Sequence, residues 1–408
     1  MSRHIGRPEK MRKSLTGMMI AVLAVAVLYA GTARADHRPG NLVVMGGTLS
    51  LTGRYAEPAG RYYNALKMYV DELNARGGLL GHRVELRILD DKSDRRTAIE
   101  LYEKLITQDK VDLFLGPYSS SITDAVANVM ERYKQPSIPT GASKVIWQRG
   151  RKYVFNQFAV AQDYQKGAVH LAKQIGVNRI AIIGEGSLFP RQVTEGALKW
   201  AKMLGLKVVL VESYRKKETD FIVLLEKINA RGAEAIFSNS YFSDSVAQIC
   251  QLRKLNINLK IFAGTIGPAV PKFVEELGST AEYVLSFSQW EPKPVLGYPG
   301  MKEFIENYEK RYGEKPNYHA AMGYEAIQIM EAAVKHAGSF DPERVRDALA
   351  SIRVETIAGP WKVDKQGLSN REGLTFQIQN GERVIVWPAH KTEARFLPMP
   401  RWEDRPKE

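Results

Sequence analysis

The strongest constraint on the fold is an alternation of apolar β-type runs with amphipathic helical stretches, which begins at Leu42 and starts again at Arg179. The first series contains NLVVMGGTLSLTG followed by GRYYNALKMYVDELNARGG, and the second contains RIAIIGEG followed by RQVTEGALKWAKMLG. Such alternation indicates parallel sheets covered by helices. Two such series in 408 residues predict an α/β protein with two doubly wound parallel-sheet lobes.

The regular order ends after Tyr283, where a Pro- and Gly-rich connection leads to further helices and then to hairpin strands. These late elements predict that the chain passes between the lobes more than once. The expected division is residues 41–159 and 288–355 for lobe 1, residues 160–287 and 356–393 for lobe 2, and residues 394–408 for a C-terminal tail. Open parallel sheets bind ligands at the carboxyl ends of their strands, so a ligand cleft is expected between the lobes.

Residues 1–35 read as a cleaved secretory signal peptide. Basic residues precede an apolar run from Leu15 to Ala30, and small residues stand just before Asp36. A membrane anchor fits less well, because it needs about 20 apolar residues. Met11 opens a more usual signal, so it is an alternative start.

Charge and cysteine content argue against a nucleic-acid partner and exclude an intramolecular disulfide. The formal net charge is +13, but the basic residues are scattered among acids, so no nucleic-acid partner is expected. Cys250 is the only cysteine in the sequence, which excludes an intramolecular disulfide. It lies among Val246, Ile249 and Leu252 at helical spacing, and this pattern predicts a thiol buried in the core.

The stretch VDLFLGPYSSSITDAVANVMERYKQPSIPTGAS, from Val111 to Ser143, places hydroxyl residues after two successive strands. Apolar residues at helical spacing predict that a helix begins near Ser120 or Ser121. The free amides and the positive dipole end of such a helix point to where the strand ends, which is a suitable place for a carboxylate.

These hydroxyls allow two interpretations. The serines serve as N-caps in the purely structural interpretation. The second cluster, Thr140 to Ser143, follows the next strand and is expected beside the first. This neighbouring cluster favours a ligand cradle.

Four segments resemble the leucine/isoleucine/valine-binding family of periplasmic proteins: LTGRYAEPAGRYYNALKMYVDELNARGGLLGHRVELRILDDKSD, FLGPYSSSITDAVANVMERYKQPSIPTGAS, YHAAMGYEAIQIMEAAV and GPWKVDKQG. The resemblance implies a type I periplasmic binding protein, with two lobes, a hinge and three crossovers, that delivers an amino acid, an amide or a small organic acid to the membrane permease of an ABC importer. The resemblance implies that Ser120, Gly141, Ser143 and Tyr241 bind the ligand. The full set of expected ligand-binding residues is Tyr118, Ser119, Ser120, Gly141, Ala142, Ser143, Phe189, Tyr241 and Thr265.

The sequence departs from the family pattern where an amino-acid ligand would place its ammonium group. An acid is expected in FAGTIG, which offers only Thr265 and Ile266. A buried ammonium without a carboxylate is costly. Either Glu185 or Asp244 therefore replaces the acid, or the ligand has no ammonium. As the ligand, we favour a small carboxylate, either an aromatic acid or a branched-chain keto acid, over a standard amino acid.

The pattern gives less specific expectations for Phe189, Arg54 and Arg61. Phe189-Pro190 stands where amino-acid binders of the family carry an aromatic-glycine pair. Arg54 and Arg61 lie near the first turn, where arginines are more often at the surface, with a second contact to an anion as the alternative.

No catalytic constellation, cofactor motif or metal-ligand spacing is found in the sequence. The DDKSD segment, Asp90 to Asp94, fits a solvated loop better than a calcium site, because it lacks the loop glycine and the distal glutamate. The expected protein is thus a periplasmic, monomeric, non-enzymatic binder whose partners are a small molecule and a permease. A freestanding ligand sensor and a secreted α/β enzyme are the alternatives.

Overall fold

The first sheet contains the two strands that precede the hydroxyl clusters of the candidate ligand cradle. The protein is represented by a computed structural model that describes Met1 and residues 41–405. Residues 2–35 of the predicted signal peptide, which include the alternative start Met11, lie outside the described residues. The strands of this sheet, all parallel and ordered β2-β1-β3-β4, are β1 (Leu42–Leu49), β2 (Arg83–Asp90), β3 (Leu113–Leu115) and β4 (Ser137–Ile138). The connecting helices are α1 (Ala56–Ala75), α2 (Arg95–Thr107) and α3 (Ser120–Tyr133).

The second sheet has seven strands in the order β13-β12-β9-β8-β7-β5-β6. Its strands are β5 (Arg179–Glu185), β6 (Lys207–Tyr214), β7 (Ala235–Asn239), β8 (Ile261–Ala263), β9 (Leu285–Ser288), β12 (Leu374–Gln379) and β13 (Glu382–Trp387). Its helices are α4 (Lys166–Gln174), α5 (Leu188–Met203), α6 (Ile222–Ala230), α7 (Phe242–Lys254) and α8 (Lys272–Leu277). Strand β7 is buried along its whole length, as expected for a parallel strand covered on both faces.

The late hairpin extends this second sheet with antiparallel strands. Strand β12 pairs antiparallel with β9 and with β13. The turn between β12 and β13 contains Asn380 and Gly381, both with positive φ, which is the backbone geometry that an Asn-Gly hairpin favours. The late hairpin strands predicted from the sequence are therefore confirmed.

Three further helices, α9 (Met301–Tyr312), α10 (Tyr318–Ala337) and α11 (Pro342–Ser351), follow β9 in the chain. Helix α10 packs against α1. A Cβ atom on Gly323 would lie 2.3 Å from the carbonyl oxygen of Tyr62. The close approach of the two helices therefore requires glycine at this position.

The predicted lobe boundary between residues 355 and 356 falls inside a short strand, β10 (Val354–Thr356). This strand pairs antiparallel with β11 (Gly359–Trp361) and contacts α10. The chain rejoins the second sheet at Leu374, where β12 begins. This boundary and the other lobe limits stay predictions.

The two-sheet α/β architecture predicted from the sequence is confirmed. The prediction of a buried Cys250 is wrong, since this residue is exposed. Helix α7 buries Ile249 and Leu252, and Cys250 lies on the outward side. Among the described residues, no helix is long and apolar enough to cross a membrane.

Candidate functional site

The first hydroxyl cluster forms the start of α3. Ser119 is the N-cap and accepts a hydrogen bond from the amide of Ile122 at 3.4 Å. Its φ of 77° is unusual for a residue other than glycine. Ser119 therefore has the structural capping role, while Ser120 is the first residue of the helix, as the sequence predicted.

Ser120 links the two hydroxyl clusters. Its Oγ accepts hydrogen bonds from the amides of Ala142 at 3.0 Å and Ser143 at 3.1 Å. A second link joins the amide of Ser119 to Oγ1 of Thr140 at 3.2 Å. The two clusters are thus in direct contact, and two backbone N–H donors converge on one oxygen atom.

Gly141 allows this close approach. A Cβ atom at this position would lie 2.8 Å from Cβ of Thr123, in the first turn of α3. Real Cβ contacts are longer, so a side chain here would push the second cluster away from the helix. Gly141 therefore sets the position of the neighbouring amide donors.

A small cavity of about 20 Å³ lies between the strand ends of the two sheets. Its walls combine residues of both halves of the molecule. The lining residues are Tyr118, Ser119, Ser120, Thr140, Ala142, Phe158, Tyr164, Phe189, Tyr241, Ile266 and Tyr318.

The cavity is walled by aromatic rings. Phe189 lies 5.0 Å from Tyr164 and 6.1 Å from Tyr241, measured between ring centroids. Tyr55, from the first half of the chain, lies 5.0 Å from Tyr241 in the second. Burial raises the pKa of Tyr241 well above its ordinary value, so its hydroxyl is neutral at physiological pH. The walls thus offer apolar surface and uncharged hydroxyls.

Behind this lining lies a buried histidine. Nε2 of His319 is 3.0 Å from the Tyr118 hydroxyl, and its ring stacks on Tyr318 at 3.8 Å. Burial, with the positive charges of Arg61 and Arg383, lowers the pKa of His319 well below its ordinary value. The imidazole is therefore neutral and orients the Tyr118 hydroxyl.

Arg54 is buried between acids rather than exposed. It forms ion pairs with Glu185 and, at 3.4 Å, with Asp244, and its guanidinium carbon lies 4.5 Å from the centroid of the Tyr241 ring. Burial lowers the pKa of Arg54, but Tyr241, Glu185 and Asp244 outweigh it and raise the pKa overall. Burial raises the pKa of Asp244, and the charge of Arg54 opposes that rise.

These contacts correct the interpretation of Arg54 and Arg61 as surface residues. The side chain of Arg54 is 15% exposed, and that of Arg61 is 12% exposed. Arg61 pairs with Glu57 and Glu314. Each guanidinium has at least one partner far away in the sequence, namely Glu185 and Asp244 for Arg54 and Glu314 for Arg61.

Six of the predicted site residues line the cavity, namely Tyr118, Ser119, Ser120, Ala142, Phe189 and Tyr241. Gly141 and Ser143 lie beside it through the contacts described above. Thr265 is not among the lining residues. Its Oγ1 donates to the carbonyl of Ser240 at 2.8 Å and accepts from the amide of the same residue at 3.1 Å. This hydroxyl links the segments that follow β7 and β8.

Sequence reasoning missed several lining residues. Phe158, Tyr164, Ile266 and Tyr318 belong to the cavity wall but were not among the predicted site residues. Phe158 and Tyr164 lie near residues 159 and 160, where the chain is expected to pass between the lobes. This position could have indicated that they lie close to the cleft. No local pattern connected Tyr318, the first residue of α10, with this cavity.

Comparisons with known proteins agree with this fold. The sequence model described as periplasmic binding protein matches residues 43–382. The Leu/Ile/Val-binding protein homolog 7 of Brucella suis is 29% identical over 391 residues, covering 90% of this chain and 96% of that protein.

Two solved structures share the fold. The LivJ branched-chain amino acid transporter substrate-binding protein of Streptococcus pneumoniae, in complex with isoleucine, has a TM-score of 0.78 at 22% identity, over 85% of this chain and 100% of that one. An ABC-transporter solute-binding protein of Rhodopseudomonas palustris, in complex with 3,4-dihydroxybenzoic acid, has a TM-score of 0.76 at 19% identity, over 84% and 95%. The chain therefore has the fold of an ABC-transporter substrate-binding protein, and it belongs to the periplasmic binding protein family.

Proposed function

We propose that this protein is the periplasmic substrate-binding component of a branched-chain-amino-acid-type ABC importer, and that it captures a small carboxylate without an amino group. An aromatic acid or a branched-chain keto acid is the expected class. The protein binds its ligand without converting it, acts as a monomer and presents the closed form to a membrane permease.

The observation that carries the proposal is the convergence of two amides on Ser120. The N–H groups of Ala142 and Ser143 reach the same oxygen at 3.0 and 3.1 Å. A ligand carboxylate accepts these donors at the start of α3, where the helix dipole favours negative charge. The Ser120 hydroxyl is then free to donate to the same carboxylate.

The remaining walls favour a ligand whose other end is apolar. None of the residues that line the cavity carries a carboxylate, and several are aromatic. A ligand ammonium in such surroundings would lose its hydration without a charged partner, which is costly. An aromatic ring or a branched alkyl group packs there favourably.

Hinge motion is the means of entry. A cavity of about 20 Å³ has room for about one water molecule. A ligand must therefore enter while the lobes are apart, and closure buries it between Ser120 on one side and Tyr241 on the other. Ligand binding then shifts the population toward the closed form that a permease recognises.

The solved relatives leave both ligand classes open. The Streptococcus protein was solved with isoleucine and the Rhodopseudomonas protein with an aromatic acid. Because the shared fold accommodates both, the lining of the cavity decides between them.

Calorimetric titration of the mature chain, from Asp36 onward, tests the proposal after unfolding and refolding have removed any bound ligand. Benzoate, 3,4-dihydroxybenzoate and 4-methyl-2-oxopentanoate are titrated separately, alongside leucine and leucinamide. We expect saturable binding of at least one carboxylate and no binding of leucinamide. Tight binding of leucine alone would contradict the ligand class, and chromatographic detection of a product would contradict a purely binding role.

A further inference from the structure

Two acids stand at the carboxyl edge of the second sheet, and a cation from the first half of the chain pairs with both. Glu185 is the last residue of β5, and Asp244 lies in the first turn of α7. Arg54, between β1 and α1, forms an ion pair with each of them. The guanidinium therefore crosses the cleft between the two sheets.

This group of three charges is deeply buried. The exposed fractions of the side chains are 15% for Arg54, 0% for Glu185 and 2% for Asp244. The amide of Ser187 donates to Glu185 at 3.0 Å, and the hydroxyl of Tyr214 donates to Asp244 at 3.2 Å. Neither of these neutral donors supplies the positive charge that two buried carboxylates require.

The charges also lie next to the ligand cavity. Arg54 lies over one face of the Tyr241 ring at 4.5 Å, and Tyr241 is part of the cavity wall. The acids are thus close enough to the cleft to attract a ligand cation, and the protein's own cation pairs with them there.

We propose that Arg54 is a specificity-determining residue. Its guanidinium pairs with Glu185 and Asp244 and so occupies the place of a ligand ammonium. The cleft therefore closes over carboxylates that carry no amino group. This inference rests on the proposed function, because it names the residue that sets the ligand class of the same site. Removing the guanidinium frees the two acids for the ammonium of an amino acid.

The substitution Arg54→Met tests this role, since methionine keeps much of the side-chain length without the charge. The matched control is Arg61→Met, which also removes a largely buried guanidinium that pairs with two glutamates, Glu57 and Glu314, away from the cavity lining. Calorimetry compares leucine with 4-methyl-2-oxopentanoate, and phenylalanine with phenylpyruvate. Each pair differs in the amino group.

We expect Arg54→Met to improve the affinity for an amino acid relative to its keto acid by at least about tenfold, because a freed buried acid then gains a partner. Arg61→Met should leave that ratio within about twofold of the wild type. Adding Glu185→Gln and Asp244→Asn to Arg54→Met should abolish the gain, since no free carboxylate remains.

A measurement without ligand separates this inference from the proposed function. Spin labels on the exposed Cys250 and on a Lys67→Cys variant, which places the second label on an exposed position of α1, report the distance between the lobes by pulsed electron resonance. Arg54→Met should shift the distance distribution toward larger values. Arg61→Met should match the wild type.

The outcomes are distinct. If no keto or aromatic acid binds the wild type, the proposed ligand class fails, while a gain of amino-acid binding in Arg54→Met with a longer interlobe distance still supports the role of Arg54. If Arg54→Met behaves as Arg61→Met does in both measurements, the inference is overturned. Tight leucine binding by the wild type would also overturn it.

Discussion

The hydroxyl oxygen of Ser120 lies 3.0 Å from the amide nitrogen of Ala142 and accepts its hydrogen bond. This contact joins the first turn of a helix to the segment after the neighbouring strand β4. It therefore fixes the two hydroxyl clusters of the cradle relative to each other. We expect ligand affinity, as well as this local geometry, to depend on the one oxygen atom.

The substitution Ser120→Ala should weaken binding of a carboxylate ligand by at least about tenfold, because a hydrogen bond to a charged group contributes about 1.5–3 kcal/mol. Titration calorimetry measures the change. Ser121→Ala is the matched control, since Ser121 occupies the next helical position and does not line the cavity. Equal losses in both variants would argue against a direct role for Ser120.

Gly141→Ala should also weaken ligand binding, although the position offers no side chain to a ligand. The added Cβ would lie 2.8 Å from Thr123, so the segment must move away from α3 and take the amides of Ala142 and Ser143 with it. We expect a loss of about 1–3 kcal/mol in unfolding free energy, measured by chemical denaturation, together with weaker ligand binding.

The control for this change is Gly60→Ala on α1. A Cβ atom there meets no other atom within 4 Å, and alanine is favoured over glycine in a helix by about 1 kcal/mol. Gly60→Ala should therefore raise the unfolding free energy or leave it unchanged. Similar destabilisation in both variants would show that the contact with Thr123 does not matter.

Phe189→Leu should change ligand preference more than overall affinity. The Phe189 ring lies 5.0 Å from Tyr164 and lines the cavity, so it can pack against an aromatic ligand. Benzoate affinity should fall by about tenfold, while 4-methyl-2-oxopentanoate affinity should change less. Phe242→Leu, at a half-buried position outside the cavity lining, should alter neither, and an equal loss for both ligands in Phe189→Leu would contradict the packing argument.

The contact between Ser120 and Ala142 was accessible to sequence reasoning because its parts are local. Two short strands followed by hydroxyl clusters, with a helix between them, place both clusters at one sheet edge whatever the rest of the chain does. Helix periodicity similarly identified the start of α3 within one residue.

Arg54 and Cys250 show where this reasoning ends. The acid Asp244 lies 190 positions from Arg54, and one sequence holds no information that pairs two such distant charges. For Cys250, the helical spacing correctly identified Ile249 and Leu252 as buried, but it placed the thiol on the buried face of the helix, whereas Cys250 is exposed. The interpretation of Arg54 as exposed followed the average behaviour of arginine, which a specific buried partner overrides.

The buried His319 should make folding stability depend on pH. Its pKa in the folded protein is held well below the ordinary value, first by burial and then by Arg61 and Arg383. The unfolded chain therefore takes up a proton near pH 6.5 that the folded protein does not, so stability is fully present above that pH and falls as the pH decreases, by about 1.4 kcal/mol per pH unit.

The substitution His319→Phe should remove this contribution. It costs stability at pH 7.5, because the Tyr118 hydroxyl loses its partner at 3.0 Å. The decline in unfolding free energy between pH 7 and pH 5.5 should, however, become smaller by about 1.3 kcal/mol. Chemical denaturation across this range measures both effects. An unchanged slope in His319→Phe would show that another group causes the pH dependence.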